Sequence, residues 1–259
     1  MAAKSYKTIW QGVALPIVII IIWIFVPGSG ETPSFVFPPL ESVLRGFVDF
    51  LFGTHNLNVY SGTMLTHLAA SIYRVMVGFG IATSLGLLAG YLSGCSQTAY
   101  RMLNPTINFF RSIPGIAWLP ISIVWFGVGN DQSIFLISLA AFFPVYTNTC
   151  HGAKSVDREL IDVSNLLGAG HISSFAYVIL PLSLHDAAVG IRVGLGLSWA
   201  YLVLGEMTGV NTGIGAVLQN ARMLGQINII IVCMLVIALT AAVFDVLMRI
   251  LLKAVLPDK

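Results

Sequence analysis

Five of the chain's 24 charged side chains fall within the nine residues Lys154–Asp162, namely Lys154, Asp157, Arg158, Glu159 and Asp162. A sparser set, Arg74, Arg111, Arg192, Glu206 and Asp245, stands in or at the edge of apolar stretches. Groups of these types can hold a metal, assemble a nucleophile with its base, or make charge contacts with a partner or a passing ion. Spacing argues against the first two. His67, His151, His171 and His185 lack paired ligand spacing, and the three cysteines Cys95, Cys150 and Cys233 are scattered, so neither a metal site nor a disulfide framework is expected. No Gly-x-Ser-x-Gly elbow supports a catalytic triad. No Gly-Lys-Ser or Gly-Lys-Thr supplies a phosphate loop. The chain is therefore not expected to be an enzyme or to bind ATP, and charge contacts remain.

Composition decides what positions those charges. Of 259 residues, 57% are apolar and 9% charged, and the mean hydropathy is +0.88. A water-soluble domain carries about 25% charged residues, so the expected surroundings are a lipid bilayer. The net charge of +2 offers no nucleic-acid signature. An all-α integral membrane protein of about six spans is expected, since a spanning helix needs about 20 apolar residues and no short alternating segments of an outer-membrane barrel appear. The six stretches are Trp10–Val26, Val75–Leu92, Tyr100–Phe126 with Pro105, Pro114 and Pro120 inside it, Ser133–Thr149, Ala187–Met207 and Ile227–Leu252. No small-residue cleavage site follows the first stretch, so it reads as a retained span rather than a signal peptide. Positive residues stay in the cytoplasm. With the N-terminus inside, the inner segments carry Lys4, Lys7, Arg101, Lys154, Arg158, Arg249, Lys253 and Lys259, and the outer ones only Arg45 and Arg222. Both ends are thus expected to be cytoplasmic.

Between the first two spans, Leu40, Val43, Leu44, Phe47, Val48, Phe50 and Leu51 recur at helical spacing with Glu41, Arg45 and Asp49 opposite. This is an amphipathic helix that lies on the outer surface or packs on the bundle. Within the spans, an ionisable residue is a functional hypothesis because it is costly in lipid. Arg111, beside Pro114 in a proline-broken span, either lines a pathway or pairs with Glu206 or Asp186. Glu206 meets an outer partner, gates a cavity, or caps its helix with solvent. Arg74 and Arg192 snorkel or pair, and Asp245 pairs with Arg249 one turn on. Gly190, Gly194 and Gly196 with Ala187, Ala188 and Ser198 make one side of the fifth span small, which suits close helix packing or, alternatively, contact with substrate. Trp118, Trp125, Trp199 and Tyr201 form a cavity wall or interfacial anchors. The candidate pathway residues are Arg111, Pro114, Trp118, Trp199 and Glu206.

The charged loop has its own local logic. Asp157 and Glu159 sit where a helix would start, near its positive end, and Leu160, Val163 and Leu167 share a face. Gly168 and Gly170 offer turn positions, after which a second short helix is expected from Ile172 to Leu180, ended by Pro181. The pattern Asp162-Val163-Ser164, three residues, Gly168, nine residues, Val178, one residue, Leu180-Pro181 resembles the EAA loop, E-A-A-x3-G-x9-I-x-L-P, of binding-protein-dependent ABC transporter permeases. Gly168, Leu180 and Pro181 match outright; Asp162, Val163, Ser164 and Val178 are related replacements. The chain is most similar to the nitrate/sulfonate/taurine branch, through His67–Arg74 (HLAASIYR), Asn104-Pro105, Arg111–Pro114 (RSIP), Ala117–Pro120 (AWLP), Trp125–Gly129 (WFGVG), Gly190–Gly196 (GIRVGLG), Glu206-Met207 and Gly213–Gly215 (GIG).

The resemblance implies an ATPase-coupling loop over residues 154–181, in which Asp157, Glu159, Asp162, Val163, Ser164, Leu167, Gly168, Ala169, Leu180 and Pro181 seat a short helix in a groove of a cytoplasmic ATPase. It implies a layout of an N-terminal transmembrane helix over 1–27, an extracytoplasmic segment over 28–66 and a permease core over 67–259. The implied partners are a second permease subunit, two cytoplasmic ABC ATPase subunits that hold ATP and Mg, a periplasmic solute-binding protein and the bilayer of a bacterial inner membrane. The cargo expected is a small anion or organic acid. A secondary transporter or channel working without an ATPase is the alternative, and it has no reason to carry the Gly168 to Pro181 pattern.

Overall fold

The computed structural model describes residues 18, 21, 23 and 25, 38–54 and 58–255. These residues are overwhelmingly helical, and no strand occurs among them. The first predicted span lies outside the described residues except at Val18, Ile21, Trp23 and Phe25, which are helical. The chain falls into two compact units, one running up to Thr66 and including Val217–Val236, the other comprising His67–Ala216 and Ile237 onward.

In the first unit, α1 (Leu40–Phe52) ends at Gly53, whose φ of +68° closes the helix with its N–H donating to Asp49 O at 2.7 Å. The helix buries Val43, Gly46 and Phe50, with Gly46 facing Ile229 and Val232 of the last helix, while Leu44, Val48 and Phe52 stay exposed. Its apolar arc is therefore wider than one packed stripe. Asp49 departs from the expected polar face. Glu41 and Arg45 form an exposed pair at 2.5 Å, but Asp49 is buried and accepts the Ser61 hydroxyl at 2.5 Å, because the chain returns over it after Gly53.

The second unit is built on α2 (Met64–Cys95), α3 (Gln97–Arg111), α4 (Leu119–Phe126), α5 (Asn130–Lys154), α6 (Arg158–Leu166) and α7 (His171–Glu206). Then come α8 (Ile214–Met223) and α9 (Ile227–Val255), which each pass from one unit to the other. Among the described residues, four helices, α2, α5, α7 and α9, are each long and apolar enough to cross a bilayer. They correspond to the second, fourth, fifth and sixth predicted spans. The third is not one continuous helix. At Pro114 the backbone loses a donor and the preceding residue is pushed out of the helical region, so α3 stops at Arg111. A 3-10 turn, Gly115–Trp118, leads into α4, and the pair is bent by 92°. Pro120 falls in the first turn of α4, where a missing N–H costs nothing.

The middle of this unit is α5, with α2 on one side and α7 on the other. Small residues set the spacing. A methyl group at Gly86 or Gly90 of α2 would come within 2.8 or 2.7 Å of Val145 or Thr149, and one at Gly190 of α7 within 2.8 Å of Asn148 Cβ. Of the expected small face, Gly190 and Gly194 pack closely and Ala187, Ala188 and Ser198 are buried, whereas Gly196 has nothing within 4 Å. Between the helices, Val75, Phe79, Ala82, Ile137, Ala141, Leu195, Trp199 and Leu202 form the buried core.

The expected break at Pro181 is absent: α7 runs unbroken for 36 residues. Proline lacks the N–H that would return to Tyr177, and its ring would strike that carbonyl in a regular helix. A π turn over Phe175–Ile179 widens the helix just ahead of it and admits the ring. At 1.5 Å per residue α7 spans roughly 54 Å, against a hydrocarbon core of about 30 Å, so it continues from the membrane into the loop.

Candidate coupling loop, charge node and cavity

The loop begins where α5 ends and turns through Ser155 to Asp157. Asp157 takes the N-cap position of α6 and Glu159 lies in the first turn, as the charge pattern requires. The C-terminal end is a Schellman cap: Ala169 N–H donates to Ser164 O at 3.1 Å and Gly168 N–H to Asn165 O at 3.0 Å. That geometry sets φ of Gly168 at +84°. A Cβ at this position would meet no atom within 4 Å, so glycine is demanded by backbone conformation and not by space. The inner side of α6 packs through Ile161 onto Ala153, Val156 and Ile179, joined by Phe175 and Val178. Ser164 and Ser174 hydroxyls meet at 2.9 Å, and Ser174 donates to Asn165 Oδ1 at 3.3 Å, tying α6 to α7.

The opposite side is bare. Leu166, Leu167 and Ile172 are 87%, 83% and 84% exposed, with Leu160, Val163 and Tyr177 beside them. Asp157, Glu159 and Asp162 are exposed and make no ion pair among the described residues. Ala169 and Leu180 are half-buried and Pro181 is exposed within α7. The residues that the sequence singles out thus sort into an outer face (Asp157, Glu159, Asp162, Val163, Leu167) and an inner attachment (Ser164).

A second constellation sits at the far end of α7. Glu206 is buried, which removes the reading of a solvent cap. Arg74 of α2, 1% exposed, reaches it with Nη1 at 2.5 Å and donates through Nε to Asn130 Oδ1 at 2.8 Å and through Nη2 to Thr212 Oγ1 at 3.1 Å. The Ser71 hydroxyl donates to both Glu206 oxygens at 2.8 and 3.0 Å, and Gly215 N–H donates to Oε2 at 2.8 Å. Ile214 N–H closes the circuit on Ser71 Oγ at 2.9 Å, and Gly213 N–H donates to His67 Nδ1 at 3.1 Å. Every oxygen of the carboxylate is satisfied, which is what a buried charge pair requires. Ser71, Asn130 and Thr212 are site residues that sequence reasoning alone does not select. Ser71 lies inside the His67–Arg74 match, whereas Asn130 and Thr212 each lie one residue outside a match, after Trp125–Gly129 and before Gly213–Gly215, and these pieces meet only here.

The third feature is a cavity of about 390 Å³ between the α3 to α4 bend, the middle of α5 and the last third of α7. Arg111, Trp118, Thr147, Asn148 and Tyr201 supply its polar lining, with Ile113, Gly115 and Phe143 among the rest. Arg111 is exposed, touches Thr147 Oγ1 at 3.4 Å, and forms no ion pair with Glu206 or Asp186. The alternative of a structural salt bridge at Arg111 is thereby corrected, since Glu206 is already committed to Arg74. Pro114 sits at the bend between the lining residues Ile113 and Gly115. Trp199 is elsewhere, in the core 5.4 Å from the Phe244 ring. The expected Asp245–Arg249 pair forms at 2.7 Å, and Arg192 joins it, also at 2.7 Å.

Residues 82–258 match the family described as binding-protein-dependent transport system inner membrane components. The chain belongs to that family. SsuC of Bacillus subtilis, a permease protein named for aliphatic sulfonates transport, is 34% identical over 95% of this chain and 86% of its own length. The taurine transport system permease protein TauC of Escherichia coli is 33% identical over 87% of this chain and 81% of its own, and the nitrate import permease protein NrtB of Leptolyngbya laminosa 30% over 77% and 72%. Among solved structures, the inward-facing MetNI methionine ABC transporter matches with a TM-score of 0.65 at 19% identity, over 74% of this chain and 95% of that one, a likeness of fold. The protein is a multi-pass membrane permease of the ABC importer family, in the sulfonate, taurine and nitrate group of permeases.

Proposed function

We propose that two copies of this permease enclose a transport path in a bacterial inner membrane and that each docks its α6 on a separate cytoplasmic ATPase. The observation that carries this reading is the outer face of α6, where exposed leucines and unpaired carboxylates stand on a helix whose inner side is firmly attached. An apolar face of this kind on a monomer marks an interaction surface. The unbroken α7 supplies the lever, because a displacement of its first turns at α6 is carried into the membrane as a rigid body. ATP and Mg belong to the partner in this scheme. A solute-binding protein outside the membrane hands over the cargo. Residues 1–27 would be a first span, 28–66 an extracytoplasmic segment and 67–259 the permease core with loop 154–181, both termini facing the cytoplasm.

The cargo proposed is a small anion or organic acid. Sulfonates, taurine and nitrate, which name the relatives, all carry an oxyanion group, and Arg111 brings an unneutralised guanidinium to the cavity beside hydroxyl and amide groups that suit such oxygens. Gentle detergent extraction of the tagged chain from its native membrane tests the class: an ABC ATPase should co-purify in stoichiometric amount. If reconstituted chain alone moved solute without ATP, the secondary-transporter alternative would replace this reading. Arg111→Ala should cut ATP-driven uptake severalfold while the complex still assembles; uptake at the wild-type rate would remove Arg111 from the path.

A further inference from the structure

A separate cavity of about 540 Å³ lies beneath α6, bounded by the ends of α2 and α5 and the start of α7. We propose that it binds a small soluble oxyanion on the side of the membrane that α6 faces, and that this ligand restrains α6. The proposal rests on the coupling-loop reading only for calling that side cytoplasmic.

Three cationic or protonatable residues, Lys154, Arg158 and His171, line the cavity with Gln97, Asn165 and Ser174, and no carboxylate is among its lining residues. The nearest acidic residues in sequence, Asp157, Glu159 and Asp162, are exposed outside the lining, and neither Lys154 nor Arg158 has an ion pair among the described residues. Lys154 instead places Nζ over the Tyr100 ring, 2.7 Å from its centroid, so that no carboxylate among the described residues pairs with its charge. Like charges gathered around a concave, partly apolar space raise the local concentration of anions. The volume falls in the range of small-ligand sites, about 300–1,000 Å³.

The location gives the ligand something to do. Asn165 lies on α6 and Ser174 on α7, already joined at 3.3 Å, and Arg158 starts α6 while Lys154 ends α5. An oxyanion held by these groups ties three helices together. Because it binds one placement of α6 better than others, it shifts the loop towards that placement. Oxyanion accumulating on the α6 side would thus slow the movement of the loop, a feedback separate from the transport cavity at Arg111.

Cys95 lines the same cavity and is exposed, whereas Cys150 and Cys233 are buried, so thiol modification reads this site in the wild-type chain. The chain alone, in nanodiscs of phosphatidylcholine, would be treated with methanethiosulfonate reagents bearing either a sulfonate or a trimethylammonium group. The sulfonate reagent should react about ten-fold faster, and inorganic phosphate should slow both. Lys154→Gln with Arg158→Gln should abolish the preference and the protection, with an uncharged maleimide reacting at the wild-type rate to report an intact fold. Equal rates for both reagents and no protection by phosphate in the wild type would overturn the proposal, whatever the variant does. Protection that appears only on adding phosphatidylglycerol, with no effect of phosphate, would also overturn it and assign the cavity to a lipid headgroup. No ATPase is present in this assay, so its failure is distinguishable from failure of the coupling reading, which co-purification tests.

Discussion

The two ends of α7 are built on opposite plans. At Glu206 a full charge pair is buried and every acceptor has a donor from the same chain, so the node is complete in itself. At α6 the carboxylates and leucines are exposed, with nothing among the described residues covering them. A buried polar group must be satisfied within the fold or the fold fails; an exposed apolar one is tolerated in isolation and acquires value only from a partner. One long helix joins an anchor that is satisfied within the chain to a face that is left open among the described residues. Mutations should therefore act on folding at one end and on association at the other.

The largest effect is expected at the anchor. Glu206→Ala leaves the Arg74 guanidinium buried without its counter-charge, at a cost of about 3–5 kcal/mol, enough to remove most folded protein from detergent extracts. Size-exclusion profiles and thermal unfolding would show it. Adding Arg74→Leu should recover much of the loss, a non-additivity that marks a direct pair. If Glu206→Ala folded normally and lost only transport, the node would belong with the working surface and the contrast would fail.

Next in size is the packing that sets the helices side by side. Gly90→Ala drives a methyl group to 2.7 Å from Thr149 Cβ. Such overpacking costs about 1–3 kcal/mol, seen as a lowered unfolding temperature. Gly196→Ala, with nothing within 4 Å, is the control and should leave that temperature unchanged.

How much of this is legible in the sequence depends on which physical signal each feature leaves. Spans leave long apolar runs, and four of them are single helices where expected. The loop leaves a spacing, and Gly168 stands at the left-handed position that the spacing suggests. The π turn before Pro181 leaves no trace, because a proline signals a lost hydrogen bond but not how the helix accommodates it. The break at Pro114 is visible as three prolines in one span, but not the 92° bend. The Arg74 partners are hidden for a different reason. Ser71, Asn130 and Thr212 are unremarkable alone, and only tertiary folding brings them into one hydrogen-bonded circuit around an ion pair that the sequence does not assign. The stripe of glycines on α2 is equally silent, because small residues mean close approach only once the facing helix is known.

Gly168 offers a sharper test of the loop than simple bulk. Its φ of +84° is disfavoured for L-residues by about 1–2 kcal/mol, while the surroundings are open. Asn tolerates this region far better than a β-branched residue does. Gly168→Asn should therefore retain most ATP-driven uptake, and Gly168→Val should lose much of it by spoiling the Schellman cap, both with normal yields of folded chain. Equal uptake by the two variants would show that the cap does not set the loop's function.

The smallest effect on folding, and the one that separates the two ends most cleanly, is expected at Leu166. At 87% exposure it contributes almost nothing to the isolated chain, so Leu166→Ser should change stability by less than about 0.5 kcal/mol. If the same side chain is buried in a groove of the ATPase, burying it is worth about 1.5–3 kcal/mol, and its loss weakens association by roughly ten-fold or more. Titrating purified ATPase against the detergent-solubilised wild type and variant measures the difference directly. Unchanged affinity would mean that the bare face of α6 is not what the ATPase grips, and the unpaired carboxylates Asp157, Glu159 and Asp162 would then have to carry the contact by charge. Added salt tells those cases apart, because a charge-based contact weakens steeply with ionic strength while burial of a leucine does not.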